Sequence, residues 1–171
     1  MDGVGQTSEG PPPVTIGQER ILRIEREIPG LLQFNMPLAY RLQGPLNVGA
    51  LERSLSEVVR RHEALRTGFR WRKERPVAGI APAADVRSFL AVKDLAAGTR
   101  HSRAKAALLT KARATAEPEW LTPIDLKPPP LLRARLLRLG ARDHILLFAL
   151  HEIFADRWSI EVLMEELSEL Y

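Results

Sequence analysis

The chain contains no cysteine, which excludes disulfide staples, thiolate metal sites and cysteine nucleophiles together. It has no long apolar run: Ile145–Leu150 is the longest, far short of the roughly 18 residues a membrane-spanning helix needs. Aromatic residues make up only 6% of it. Trp71, Trp120 and Trp158 stand apart from one another and read as core or edge packing, not as a stacking platform. With no zinc-finger spacing and no aromatic-rich strand, no nucleic-acid module is expected. The N-terminus lacks a charged segment followed by an apolar stretch, so no secretory signal is read there. The location expected from these exclusions is cytoplasmic, away from membranes.

Enzyme motifs are absent in the same way. There is no phosphate loop of the GxxxxGK[ST] type, no GxGxxG and no GxSxG. His151-Glu152 begins like the metalloprotease HExxH, but Ala155 stands where the second ligand should be. His62-Glu63 fails likewise, with Arg66 at that place. No metal site and no bound cofactor are expected.

What is present is an ordinary globular composition, 45% hydrophobic and 27% charged over 171 residues, enough for one compact domain. The net charge is +4, a balance that favours acidic partners. Seven basic residues lie between Arg60 and Arg75 and five between Arg100 and Arg113. They read as solvated faces of helix and strand.

Met1–Pro13, rich in Gly, Pro and small polar residues, reads as a disordered leader, followed by a folded unit over 14–171. Thr15 is placed as the N-cap of a helix contributing Ile16, Ile21, Leu22 and Ile28 to the core, ended by Pro29-Gly30. A strand follows over Met36–Leu42, then a helix over Val48–His62 capped by Asn47, with apolar residues on one face. Strands are predicted at Thr67–Trp71, Pro76–Ile80 and Phe89–Val92, and a helix at Arg100–Ala116. Trp120–Pro130 reads as extended. Leu132, Ala134 and Leu136 alternate with Arg133 and Arg135 as in a half-buried strand, and Gly140–Asp143 makes a hairpin turn. Ile145–Leu150 reads as a central strand buried on both faces. A final helix starts at Ser159, with Ile160, Leu163, Leu167 and Leu170 inward and Glu161, Glu165, Glu166 and Glu169 in water. The class is mixed α/β (α+β), one mixed sheet flanked by helices.

Three separated segments point further. Thr15–Leu22 reads TIGQERIL, Arg61–Phe69 reads RHEALRTGF, and Leu150–Ser159 reads LHEIFADRWS. Between the last two, Ile124-Asp125-Leu126 precedes PLLRARLLRL at Pro130–Leu139. In order and register these resemble the first three core motifs of the condensation domains of nonribosomal peptide synthetases. The second fits RHExLRTxF at each defining position, and the third resembles HHxxxDG followed by Trp-Ser. The resemblance covers Val14 to Tyr171. It implies a chloramphenicol-acetyltransferase-like half-domain, the N-terminal lobe of two that enclose a tunnel, truncated before the C-terminal lobe.

The family joins a carrier-bound acyl or peptidyl thioester to the amine of a carrier-bound aminoacyl thioester, both on phosphopantetheine arms. Carrier protein domains are therefore the implied partners, with a C-terminal lobe in cis or in trans. The second histidine of the motif handles the amine, and Glu152 stands at that position. A carboxylate, with a reference pKa of about 4.3, is a poor base unless desolvation raises it. His151 falls at the first, structural histidine. Asp156 matches the motif aspartate, expected to form a buried pair with Arg66 of the second motif, whose loss costs about 3–5 kcal/mol. His62 is the second motif's other structural residue. Arg157 replaces the motif glycine and is expected, with Trp158 and Ser159, along the substrate tunnel, where its guanidinium would obstruct the arm. The resemblance thus implies a degenerate or incomplete condensation lobe, inactive alone. The alternatives are a non-catalytic docking module for carrier proteins or tailoring enzymes, and half of a split acyltransferase using Glu152.

Overall fold

A computed structural model describes residues 12–86, 89–96, 104–127 and 129–171; all of the expected leader but Pro12 and Pro13 lies outside them. The first helix, α1, spans Ile16–Glu27 and opens with a capping box. The Thr15 hydroxyl accepts from the Gln18 amide at 3.2 Å, and the Gln18 side chain accepts from the Thr15 amide at 3.0 Å, so two orphan donors are satisfied at once. Ile16 and Ile28, expected in the core, are instead 91% and 57% exposed. The inward stripe is centred on Leu22, and one turn to either side of it stand Gln18 and Glu25 rather than isoleucine. That choice of stripe builds the site described below.

The principal sheet has four strands in the order β1-β6-β5-β4: β1 Asn35–Gln43, β4 Leu90–Asp94, β5 Leu132–Gly140 and β6 Asp143–His151. β1 is an edge strand antiparallel to β6, which is why it tolerates Pro37. β5 and β6 form an antiparallel hairpin, and β4 lies parallel to β5. β6 is interior and buried on both faces, as its apolar run predicts. Leu146, Phe148 and Leu150 pack with α2 (Val48–Arg61) and α4 (Arg157–Leu170), while Leu147 packs with α3 (Ala104–Trp120) on the other side. Each such side chain contributes roughly 1.5–3 kcal/mol by burial. Among the described residues, no helix is long and apolar enough to cross a membrane.

Two helix boundaries differ from expectation. α3 runs on through Trp120, where extended chain was expected; Arg100–Arg103, the expected start, lie outside the described residues. Leu108, Ala112, Ala116 and Trp120, four residues apart, pack on Leu137, Leu139 and Leu147, so the helical stripe outweighs Pro118 in the last turn. Arg133 donates to the carbonyls of Glu119 and Thr122, serving carbonyls the helix end leaves open. α4 begins at Arg157 rather than Ser159, because Asp156 is its N-cap.

A second, two-stranded ribbon pairs β2 (Thr67–Arg72) with β3 (Arg75–Ile80). An isolated hairpin is marginal in water. This one is held by Phe69 and Ala78 packing with Leu22, Leu126, Leu131 and Ile153. The Phe69 amide also donates to the Leu126 carbonyl at 2.7 Å. A Cβ at Gly68 would collide with the Lys127 carbonyl, so this close approach requires glycine.

Candidate functional site

The third motif begins where β6 ends. His151, the last residue of that strand, is 1% exposed. Its Nδ1 accepts the Ile153 amide at 3.1 Å. The ring proton therefore sits on Nε2, which donates to the Glu25 carboxylate at 2.9 Å. Phe34 stands tilted beside the ring, centroids 5.9 Å apart. From the same face of α1, the Gln18 amide group donates to the Ile153 carbonyl at 3.3 Å. The first and third motifs are thus stitched together by Gln18 and Glu25. Sequence reasoning does not single out Glu25; the one signal for it is a position seven residues, about two helical turns, beyond Gln18.

Glu152 follows at once and is exposed. Its backbone amide is fixed, donating to the Phe34 carbonyl at 2.8 Å. Its carboxylate has no hydrogen-bond or ionic partner among the described residues. Backbone and side chain therefore differ: one is held in place, the other free in solvent.

The expected buried pair between Arg66 and Asp156 is not formed. Asp156 is exposed and caps α4, its carboxylate accepting from the Ser159 amide at 2.8 Å and from the Ser159 hydroxyl at 2.7 Å. Those bonds, the amide first, hold its carboxyl below the usual carboxylate range. Arg66 is 7% exposed and donates to the carbonyls of Arg60 and Ala81, with Glu63 at 4.0 Å. Each residue is satisfied by the end of a nearby element. Arg66 ties the exit of α2 to the exit of β3, and Asp156 starts α4.

Arg157, Trp158 and Ser159 part company. Arg157 is the first residue of α4, 94% exposed at its side chain and 3.9 Å from Glu161. Its backbone is helical, so nothing there demands the φ freedom of glycine. Trp158 and Ser159 line an apolar crevice of about 220 Å³ with His62, Leu65, Leu150, Phe154 and Leu163; Arg157 does not. Trp158 is 72% exposed. At the crevice, His62 Nε2 meets the Glu166 carboxylate at 2.8 Å, which joins the end of α2 to α4. Glu166, expected in water, is accordingly half-buried. The crevice falls below the roughly 300–1,000 Å³ of complete ligand pockets. Among the described residues no group of three or more His, Asp or Glu is placed to hold a metal ion.

Comparison with known proteins identifies the family and the fold. The family model for the condensation domain matches residues 8–171. The chain is 37% identical over 159 residues to a linear gramicidin synthase of Brevibacillus parabrevis, covering 93% of this chain and 3% of that protein. It is 36% identical over 179 residues to chondramide synthase cmdD of Chondromyces crocatus, covering 99% of this chain and 4% of that protein. The fold is similar to the first condensation domain of the calcium-dependent antibiotic synthetase in complex with a substrate analogue. The TM-score is 0.80 at 22% identity, over 96% of this chain and 40% of that one. SgcC5 from Streptomyces globisporus aligns with TM-score 0.73 at 28% identity, over 94% of this chain and 36% of that one. The chain therefore spans a few per cent of these two synthetases, and about two fifths of these two solved chains.

Proposed function

The chain belongs to the condensation domain family, and from that premise we propose that it is a first lobe that does not form amide bonds by itself. The observation that carries this reading is the contrast at the end of β6. The motif's imidazole is engaged at both nitrogens, and the residue at the amine-handling position is a carboxylate standing in solvent.

The family reaction needs a group to take a proton. The amine nitrogen of the aminoacyl thioester attacks the upstream thioester carbonyl, a C–N bond forms, the C–S bond breaks, and the amine gives up a proton as the thiol leaves. His151 Nε2 already carries a proton and Nδ1 already accepts one bond, so this ring has no free acceptor. Glu152 stands exposed, with no partner for its carboxylate among the described residues, where the family's motif has an imidazole. Loss of general-base help costs about 10²–10⁴ in rate. The crevice of about 220 Å³ is too small to hold both acyl chains, and substrate positioning is a still larger factor. The substrates of this reading are thioesters on phosphopantetheine arms, and the partners are carrier proteins and a second lobe, in the same or another polypeptide.

The test pairs the wild-type chain with Glu152→His and Arg157→Gly, each with two loaded carrier proteins, with and without a supplied C-terminal lobe. The expected result is no amide product from the wild type under either condition, and product from Glu152→His once the lobe is supplied. Turnover by the wild-type chain alone would overturn the proposal. Turnover by the wild type with the lobe, abolished in Glu152→Gln, would make Glu152 the working base of a split acyltransferase.

A further inference from the structure

The β2–β3 ribbon carries a second surface, independent of the motif at the end of β6 and of the condensation reading. Its register sets Phe69 against Ala78, Arg70 against Val77, Trp71 against Pro76 and Arg72 against Arg75. By strand alternation Phe69 and Trp71 share the face toward α1, and Arg70, Arg72 and Arg75 share the other. Between the strands lies the turn Lys73-Glu74, whose only acid is taken by Arg26 at 3.1 and 3.3 Å. Arg70, Arg72, Lys73 and Arg75 are exposed, and none has an acidic partner among the described residues. Elsewhere several surface arginines are paired: Arg23 with Glu19, Arg41 with Asp143, Arg60 and Arg61 with Glu57, Arg135 with Glu119. Exposed ones without an acid among the described residues, such as Arg20 and Arg113, are not gathered on one turn as the ribbon's four cations are.

The ribbon carries these cations at a cost to its own folding. Like charges directly opposite each other, as Arg72 and Arg75 are, destabilise a two-stranded pair. Lys73 sits at φ 53°, in the left-handed region that glycine or asparagine fills more easily. An acid at position 72 or 75 would help the hairpin fold, so the arrangement points to an external acid.

We propose that this outer face docks an acidic helix of a partner protein. Opposed residues of an antiparallel pair have Cβ atoms about 4.5–5.5 Å apart. Residues three or four apart on a helix are about 5–6 Å apart, so carboxylates at that spacing face Arg72 and Arg75 together. Each guanidinium fork then grips one carboxylate in two hydrogen bonds. A single-stranded nucleic acid needs open aromatic faces beside its cations, whereas Trp71 lies under Arg26 at 4.6 Å and Arg23 at 5.8 Å.

The test measures fluorescence anisotropy of a labelled alanine-rich peptide with glutamates four residues apart, titrated with the full chain. Comparison probes are the same peptide with glutamine, one with glutamates two apart, a single-stranded oligonucleotide, and phosphatidylserine vesicles. The four-spaced peptide should bind best. The double variant Arg72→Gln/Arg75→Gln should weaken it about tenfold or more, the scale of losing charge-assisted bonds, while Arg60→Gln/Arg61→Gln should leave it within about twofold. Arg72→Gln alone should raise Tm by relieving the facing charges. Unchanged binding in the double variant, equal binding of the two-spaced peptide, tighter binding of oligonucleotide or vesicles, or a lowered Tm for Arg72→Gln would each overturn the proposal.

Discussion

His151 and Glu152 are neighbours in sequence and opposites in circumstance. One is 1% exposed with both ring nitrogens bonded; the other is exposed with a carboxylate that meets nothing among the described residues. The contrast separates two jobs that a single motif combines. What the lobe needs for its own folding, the junction of α1 with the end of β6, is in place. On the proposed reading, what only the reaction would need is what position 152 lacks, where a carboxylate stands in solvent. Folding holds a residue where its loss leaves buried groups unsatisfied, and it exerts no such hold on a side chain that points into water.

The sharpest way to break this comparison is to truncate each residue in turn. His151→Ala leaves the Ile153 amide and the Glu25 carboxylate without their partner and opens a void beside Phe34. The expected loss is about 2–4 kcal/mol, read as a lowered midpoint in urea unfolding. Glu25→Gln keeps an oxygen to accept from Nε2 and should cost less. Equal losses at His151→Ala and Glu152→Ala would erase the distinction.

The chain's own pattern makes much of the framework legible, and the limits of that legibility follow from distance. N-caps at Thr15 and Asn47, the hairpin at Gly140–Asp143 and the buried strand at Ile145–Leu150 are local signals, and each stands in the structure. Apolar residues near a helix end are ambiguous: periodicity alone puts Ile16 and Ile28 in the core, yet the stripe through Leu22 passes them by. The polar contacts of the site are less legible still. Glu25 reaches His151 across 126 residues, and no spacing rule announces such a bond. Asp156 and Arg66 are expected to meet because their motifs imply it. Nearer acceptors and donors, one turn of α4 for Asp156 and the carbonyls of Arg60 and Ala81 for Arg66, take their bonding capacity first.

A second buried histidine on the same strand sharpens the lesson. His144 is 3% exposed, and its Nδ1 has no partner among the described residues. Burial pushes its pKa down, and the nearby Arg138 charge adds to the effect against the pull of Asp143 and Asp94. The unfolded chain takes up this proton near pH 6.5, the folded chain only at lower pH. Between those values the unfolded state binds more protons, so stability must fall as pH drops below about 6.5 and level off once the folded pKa is passed. Chemical denaturation from pH 8 down to 5 should show the decline, and His144→Phe should flatten it.

Asp156 gives a smaller effect with its window at lower pH. Its folded pKa is depressed by the Ser159 bonds, so its stabilisation is present above the unfolded carboxyl value and is lost as pH falls through the folded one. Asp156→Ala should lower Tm at neutral pH, with Asp156→Ser or Asp156→Asn keeping most of the cap. The gap between wild type and Asp156→Ala should close in acid. A gap that persisted there would mean the carboxylate acts through something other than α4.

The smallest expected effect is the most telling about function. Glu152→Gln keeps the shape of the side chain and removes its charge, at a position where the backbone amide alone is bonded. Surface changes away from caps, cavities and buried pairs stay within about 0.5 kcal/mol, so thermal and urea unfolding of Glu152→Gln and Glu152→His should match the wild type to that margin. The equality matters because it makes the catalytic assay interpretable. A change in turnover at position 152 can then be assigned to chemistry, since the lobe that presents the side chain is unaltered. A loss of more than about 1 kcal/mol in Glu152→Gln would show that the fold itself relies on the carboxylate. The side chain would then belong with His151 among the structural residues, and the division between the two neighbours would fail.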